Sequence, residues 1–270
     1  MTRLARAKMF DGTVRFGLVE DEAFLPLDRH VFGEEPGRTG QAVPLSDVRL
    51  LSPTEPRNIL VMWRAFYKEG DRRTVDHSPY LAVKAAGDPP GGDGSQILIP
   101  ELVGGPLAAE AELAVVIGRR AKNLTPEQAW GTIAGFTVMN DVTAPSLLHP
   151  TGQWPEELPR LVSGAVVAKC FDTFSPFGPW IETSLTDDEI KAGVTIRTLV
   201  NGEEKMRGTT ADFKFTVGEV VSHASRILTL TPGDVITLGT PGVVLVDDGD
   251  VVECEVEGIG SLRNTIVAQP

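Results

Sequence analysis

Apolar and polar positions alternate with a period of two in Thr13-Val-Arg-Phe-Gly-Leu-Val19, the pattern of a half-buried strand. Asp11-Gly12 precedes it as a turn signal. Ser52-Pro-Thr-Glu-Pro56 breaks the pattern and marks a boundary, after which residues 57–63, Arg-Asn-Ile-Leu-Val-Met-Trp, read as a buried strand. The run Gly87-Asp-Pro-Pro-Gly-Gly-Asp-Gly94 has no means of forming helix or sheet. It is short, and strand pattern resumes at Ile97, so it reads as a loop within one domain. Two helices are signalled by their caps. Thr125-Pro-Glu-Gln128 and Thr216-Val-Gly-Glu219 each place a hydroxyl at the N-cap and a Gln or Glu at N3, both halves of a capping box. Pro126 suits the first helical position. After Thr216, Val217, Val220, Val221, Ala224, Ile227 and Leu228 recur at helical spacing, and Pro232-Gly233 stops the helix. Pro232-Gly-Asp-Val-Ile236 and Asp248-Gly-Asp-Val-Val252 are similar turn-then-strand units, expected at neighbouring corners of a folded sheet. Two short helices against about a dozen strands make the expected class β-rich α+β.

Composition explains the punctuation. The 270 residues include 28 glycines and 20 prolines without a collagen-like period, well above the usual combined share of about 12%. With 41% hydrophobic and 23% charged residues the chain is not disordered, and its length can bury a core without disulfide staples. Cys170 and Cys254 are the only cysteines, too few for a disulfide framework or a thiolate zinc site. A net charge of −12 repels phosphate backbones and anionic lipid, so a nucleic-acid partner is not expected. The basic start, Met1 to Lys8, lacks the apolar stretch of a signal peptide. Charged residues interrupt every apolar run short of a membrane span. A soluble cytoplasmic protein with no membrane partner is the expectation.

Candidate chemistry begins at Glu110-Ala-Glu112. Residues two apart on a strand share a face, so the two carboxylates would converge while Ala111 and Leu113 point the other way. Such a pair usually faces solvent. Asp141 changes that balance, because it ends the apolar segment Ile133-Ala-Gly-Phe-Thr-Val-Met139, where an unpaired carboxylate is costly to bury. Three converging carboxylates repel one another unless a cation sits between them. Carboxylate oxygens plus waters are what Mg²⁺, Mn²⁺ or Ca²⁺ prefers.

The blocks Glu110-Ala-Glu-Leu-Ala-Val-Val-Ile-Gly118, Gly135-Phe-Thr-Val-Met-Asn-Asp-Val-Thr143 and Lys169-Cys-Phe-Asp-Thr-Phe-Ser-Pro-Phe-Gly-Pro-Trp-Ile181 resemble the fumarylacetoacetate hydrolase (FAH) family. Val200-Asn-Gly-Glu203, Leu230-Thr-Pro-Gly-Asp-Val-Ile236, Gly239-Thr-Pro-Gly242 and Glu257-Gly-Ile-Gly260 follow in family order. Together they cover roughly residues 53–267, and several ordered blocks make the likeness specific. Arg15-Phe-Gly-Leu-Val19 is similar to the small leading domain of the bacterial branch. The resemblance implies two domains, a small β-rich one over residues 1–52 and an FAH-like catalytic one over 53–270. It also implies a pseudo-barrel of mixed β-sheets around a buried divalent metal, in a homodimer. By position it assigns Glu110, Glu112 and Asp141 as metal ligands and Lys169 as the lysine beside the metal. Thr240 then falls where the family holds substrate.

The departures are as informative. Family hydrolases carry Asn-Tyr-x-x-His-x-x-Glu, whose His and Glu activate water. Aligned without gaps from Pro56, this chain has Ala65 and Phe66 at the Asn-Tyr positions, Glu69 at the His and Arg72 at the Glu. The family's Ala-Arg-Asp-x-Gln reads Ala144-Pro-Ser-Leu-Leu-His149, and the glutamine expected after Asn-Gly-Glu is replaced near Met206. Glu69 could serve as a carboxylate base, and His77 and His149 lie near the altered segments. Arg64, Lys68, Arg72 and Arg73 form a positive cluster on an expected lid over residues 64–80, where Arg64 and Arg72 would capture a substrate carboxylate. The resulting expectation is a divalent-metal enzyme, Mg²⁺ or else Mn²⁺ or Ca²⁺, acting on a small carboxylate or dicarbonyl compound. The substrate would be a 2-oxo acid or 1,3-dicarbonyl, handled through a metal-stabilised enolate. C–C hydrolysis and decarboxylation or isomerisation are weighed equally. A binding or scaffold protein without turnover is the alternative, disfavoured because three clustered carboxylates destabilise an empty core. Gly258-Ile-Gly260 lacks the helix and acidic partner of a dinucleotide site.

Overall fold

The protein was studied as a computed structural model, which describes residues 2–29, 31–32, 37–68, 75, 77–87, 90–103, 105–148 and 164–269. Eighteen strands among these residues form two large mixed sheets and a ribbon. The larger sheet runs, in spatial order, Val43–Pro44, Ala23–Pro26, Val14–Glu20, Arg3–Lys8, Phe177–Glu182, Ile133–Asn140, Ala111–Ile117, Val235–Thr237, Ile59–Trp63 and Tyr80–Lys84. Arg49–Leu50 pairs with Arg3–Lys8 off this path. The second sheet is Glu203–Thr209, Thr195–Val200, Val251–Val256, Gly260–Ala268 and Gln96–Ile99. A ribbon pairs Leu107–Ala109 with Val244–Val246. Both large sheets mix parallel and antiparallel neighbours, as expected of the FAH-type fold.

The amino-terminal strands join the larger sheet directly: Arg3 lies opposite Glu182 and Leu4 opposite Ile181. Ala111–Ile117 is central in the same sheet and buried along its whole length. Its odd-numbered side chains, Leu113, Val115 and Ile117, enter the main core with Ile196, Cys254 and Leu262 of the second sheet. Ala114 packs instead with Ile59, Val61, Met139 and Val235. This strand therefore has no solvated face, which decides the fate of Glu112.

Both capping boxes form, at Thr125 and Thr216. The helix after Thr216, Val217–Ile227, buries Val217, Val220, Val221 and Ala224, whereas Ile227 is exposed at its end. Thr186-Asp-Asp-Glu189 is a third capping box, opening helix Asp187–Gly193. It carries the same Thr-x-x-Glu spacing without a long apolar stripe behind it, so the sequence pattern draws less attention to it. One expectation fails outright. The units at Pro232 and Asp248 feed strands of different sheets, Val235–Thr237 and Val251–Val256. Their likeness reflects shared turn chemistry, with glycines at φ 90 and 86, and not neighbouring corners.

Candidate metal centre and its cavity

Strand register brings the carboxylates together. Ala111 lies opposite Asn140 and Glu112 opposite Met139, so the residues just past the ends, Glu110 and Asp141, also meet. The Asp141 N–H donates to the Glu110 carbonyl at 2.9 Å, and the Glu110 N–H to Asn140 Oδ1 at 3.0 Å. Glu110, Glu112 and Asp141 each present a carboxylate oxygen within 4.8 Å of the other two. Glu112 and Asp141 are each 1% exposed.

Two lysines close on this group. Lys169 Nζ donates to Asp141 Oδ2 at 2.6 Å, to Thr143 Oγ1 at 2.6 Å and to Glu110 Oε1 at 3.3 Å. Thr143 Oγ1 in turn donates to Glu110 Oε1 at 2.8 Å. Lys84 Nζ donates to Asp141 Oδ1 and, at 2.9 Å, to the Val142 carbonyl. Glu112 is held from another side, its Oε2 accepting the Gly239 N–H at 2.9 Å. Gly239 has φ +87, and a Cβ there would overlap the Ala65 side chain. Only glycine lets this turn approach closely enough to place its amide on Glu112.

The electrostatics divide the three acids. Burial raises the Asp141 carboxyl, but the Lys84 and Lys169 ammoniums outweigh it and bring its pKa below the ordinary 3.8. Burial and the neighbouring Asp141 charge raise Glu110 above the ordinary 4.5, against the opposing pull of Lys169. Glu112 rises well above 4.5 through burial and the charges of Asp141 and Glu110. Burial opposes the Lys169 ammonium, yet Asp141 and Glu110 raise its pKa above 10.5. Three carboxylates face two ammoniums, and the shortfall of positive charge falls on Glu112. Hard oxygen donors, close convergence and an under-compensated buried carboxylate all fit a divalent cation.

The group forms one wall of a cavity of about 750 Å³, which Glu110, Glu112, Lys169, Arg64, Lys68 and Thr240 help to line. Arg64 sits there in the left-handed region, φ 56, and makes no ion pair among the described residues. Thr240 is engaged in its own turn, its hydroxyl donating to the Gly242 carbonyl at 2.7 Å. Ala65 and Phe66 add apolar wall, with Phe66 edge-on to Phe213 at 4.8 Å. Glu69, Arg72, Arg73 and His149 lie outside the described residues, as does the part of the expected lid at residues 69–74 and 76. His77 is described, stacked on Tyr80 at 4.5 Å between centroids, and does not line this cavity.

The sequence pattern gives little sign of Lys84's place in the site. Along Tyr80–Lys84 the burial runs opposite to hydropathy: Val83 is 57% exposed and Lys84 only 2%. The one available signal is period-two geometry, which sets Lys84 on the face of Ala82 and opposite Val83.

The sequence matches the family described as fumarylacetoacetate (FAA) hydrolase C-terminal over residues 68–267, and Rv2993c-like, N-terminal over residues 2–53. This chain belongs to the fumarylacetoacetate hydrolase family. Among its FAH relatives, Protein Rv2993c of Mycobacterium tuberculosis is 35% identical over 277 residues, covering 98% of each chain. The 4-hydroxyphenylacetate degradation bifunctional isomerase/decarboxylase of Salmonella dublin is 39% identical over 163 residues, 59% of this chain and 35% of that one. The crystal structure of 5-carboxymethyl-2-hydroxymuconate delta-isomerase from Mycobacterium smegmatis superposes with a TM-score of 0.84 at 35% identity, covering 99% of this chain and 100% of that one. Similar FAH proteins are thus enzymes by name. Among the described residues no helix is long and apolar enough to cross a membrane.

Proposed function

We propose that this FAH-family chain is a divalent-metal enzyme, a cytoplasmic homodimer by family analogy, acting on a 2-oxo acid or 1,3-dicarbonyl compound. The convergence of Glu110, Glu112 and Asp141 within 4.8 Å, on the wall of a cavity that Lys169 also lines, carries the reading. These three residues would hold the cation, Mg²⁺ or else Mn²⁺ or Ca²⁺. When bound, it supplies Lewis-acid stabilisation of charge developing on substrate oxygens.

The chain's own groups do the rest. Lys169 holds a proton at Nζ beside the carboxylates and is oriented by Thr143, so it can steady negative charge on a substrate oxygen. Arg64, unpaired among the described residues at the cavity wall, suits a substrate carboxylate. Glu69 and Arg72 are assigned to base and carboxylate-binding roles from sequence alone. Thr240 lines the cavity, and its role toward substrate would require its hydroxyl to leave the Gly242 carbonyl.

Ala65 and Phe66 present apolar wall where family hydrolases carry Asn-Tyr. This favours proton transfer or decarboxylation over addition of water, as do the isomerase and isomerase/decarboxylase names of two relatives. The test is a metal-replete assay against oxaloacetate, acylpyruvates and fumarylacetoacetate-like diketones. Turnover of at least one substrate, falling about 10²-fold or more in Lys169→Met, is expected. Glu69→Gln should lower the same activity and leave metal affinity intact. Binding without turnover across the whole panel would favour the scaffold alternative.

A further inference from the structure

The two lysines on Asp141 are not equivalent. Lys169 lines the cavity and has other partners in Thr143 and Glu110. It can release Asp141 Oδ2 to an arriving cation without being stranded. Lys84 is fully buried and takes no part in lining the cavity. Among the described residues its hydrogen-bond partners are Asp141 Oδ1 and the carbonyl of the next residue, Val142. Drawing it off Asp141 would leave a buried ammonium without its counter-charge, a state costly enough to be avoided.

We propose that Lys84 is a positioning residue that keeps Asp141 Oδ1 occupied, restricts Asp141 to one-oxygen ligation, and so makes the site select Mg²⁺ over Ca²⁺. This inference rests on the metal reading above. An ammonium already on Oδ1 repels a second cation from that oxygen, and its bond to Val142 fixes the turn from which Asp141 projects. Glu112 is restrained in a similar sense, because the Gly239 amide occupies its Oε2. Few protein oxygens then remain for the cation, with open positions for water or substrate. Mg²⁺ accepts this arrangement, being small, octahedral and reluctant to lose its waters. Ca²⁺ prefers six to eight oxygens and readily takes bidentate carboxylates.

The experiment uses the full chain, with free Mn²⁺ followed by its EPR signal and Mg²⁺ or Ca²⁺ as competitors. Lys84→Met removes a positive charge and should strengthen attraction of both ions alike, because both carry the same charge. The ratio of their affinities therefore isolates geometry. The unmodified protein should prefer Mg²⁺, and Lys84→Met should lower the Mg²⁺-to-Ca²⁺ ratio by about tenfold or more. An unchanged ratio in folded Lys84→Met, or a Ca²⁺ preference in the unmodified protein, overturns the inference and leaves the metal reading standing. Failure of the unmodified protein to bind any of the three ions overturns the metal reading and this inference with it. Should Lys84→Met not fold, a crystal structure of the unmodified protein with Mn²⁺ decides. One-oxygen ligation by Asp141 with Lys84 still on Oδ1 supports the inference, and bidentate ligation overturns it.

Discussion

Two effects push Glu112 the same way. Its strand buries it, and its neighbours Asp141 and Glu110 repel its charge, so its pKa lies well above the ordinary 4.5. Between 4.5 and that raised value the native protein holds a proton that the unfolded chain has lost, so metal-free stability falls as pH rises through this window. Asp141, with its pKa below 3.8, acts in the opposite sense: its contribution is present above 3.8 and is lost as pH falls through the lowered value. Metal-free Glu112→Gln should therefore melt higher at neutral pH, by a gain on the order of 1 kcal/mol or about 2–4 °C. Its melting temperature should also depend less on pH above 4.5, as thermal melts across pH would show. In the unmodified protein divalent-metal affinity should rise with pH across the same window, because the cation displaces the proton. Calorimetry in buffers of different ionisation enthalpy reads that release. Gly239→Ala should weaken metal binding and cost about 1–3 kcal/mol, since φ +87 and contact with Ala65 leave no room for a methyl group.

Among the elements, helix Val217–Ile227 is held by its cap and by one apolar face. Thr216 Oγ1 accepts the Glu219 N–H at 3.3 Å, and Glu219 Oε2 accepts the Thr216 N–H at 2.8 Å. Thr216→Ala should cost about 1 kcal/mol, read as a lower melting temperature with faster amide exchange in the helix's first turn. Metal affinity should not change, because no residue of this helix lines the cavity. The elements that do matter to the site are strand ends. Glu110, Asp141 and Lys84 all lie at or just beyond the ends of Ala111–Ile117, Ile133–Asn140 and Tyr80–Lys84.

For the whole molecule, the site works as a staple. Carboxylates from two adjacent strands, a lysine from the edge strand Tyr80–Lys84 and Lys169 just beyond the short helix Gly164–Val167 converge on one point. A cation bound only by the native state should stabilise the entire fold by mass action, about 2.7 kcal/mol at one hundred times its dissociation constant. Added Mg²⁺ or Mn²⁺ should raise the melting temperature, and Asp141→Ala should abolish the rise. An unchanged melting curve across millimolar metal would remove the proposed centre.

Local and short-range physics left a readable trace in the chain. The capping boxes at Thr125 and Thr216, the strand from Ile59, and the shared face of Glu110 and Glu112 follow from spacing alone, because caps and strand periodicity involve residues at most a few positions apart. The ordered blocks from Glu110 to Gly260 carried the family for the same reason: each is a local solution that persists as a motif. Other features depended on what lies across the sheet. The burial of Glu112 required a strand covered on both faces, and Lys84 became the counter-charge of Asp141 across 57 positions of sequence. The separation of the Pro232 and Asp248 units into two sheets was likewise a matter of pairing partners. Hydropathy reports what a side chain costs to bury, whereas whether it is buried, and beside which charge, is set by strands distant in sequence that only the folded sheets bring alongside.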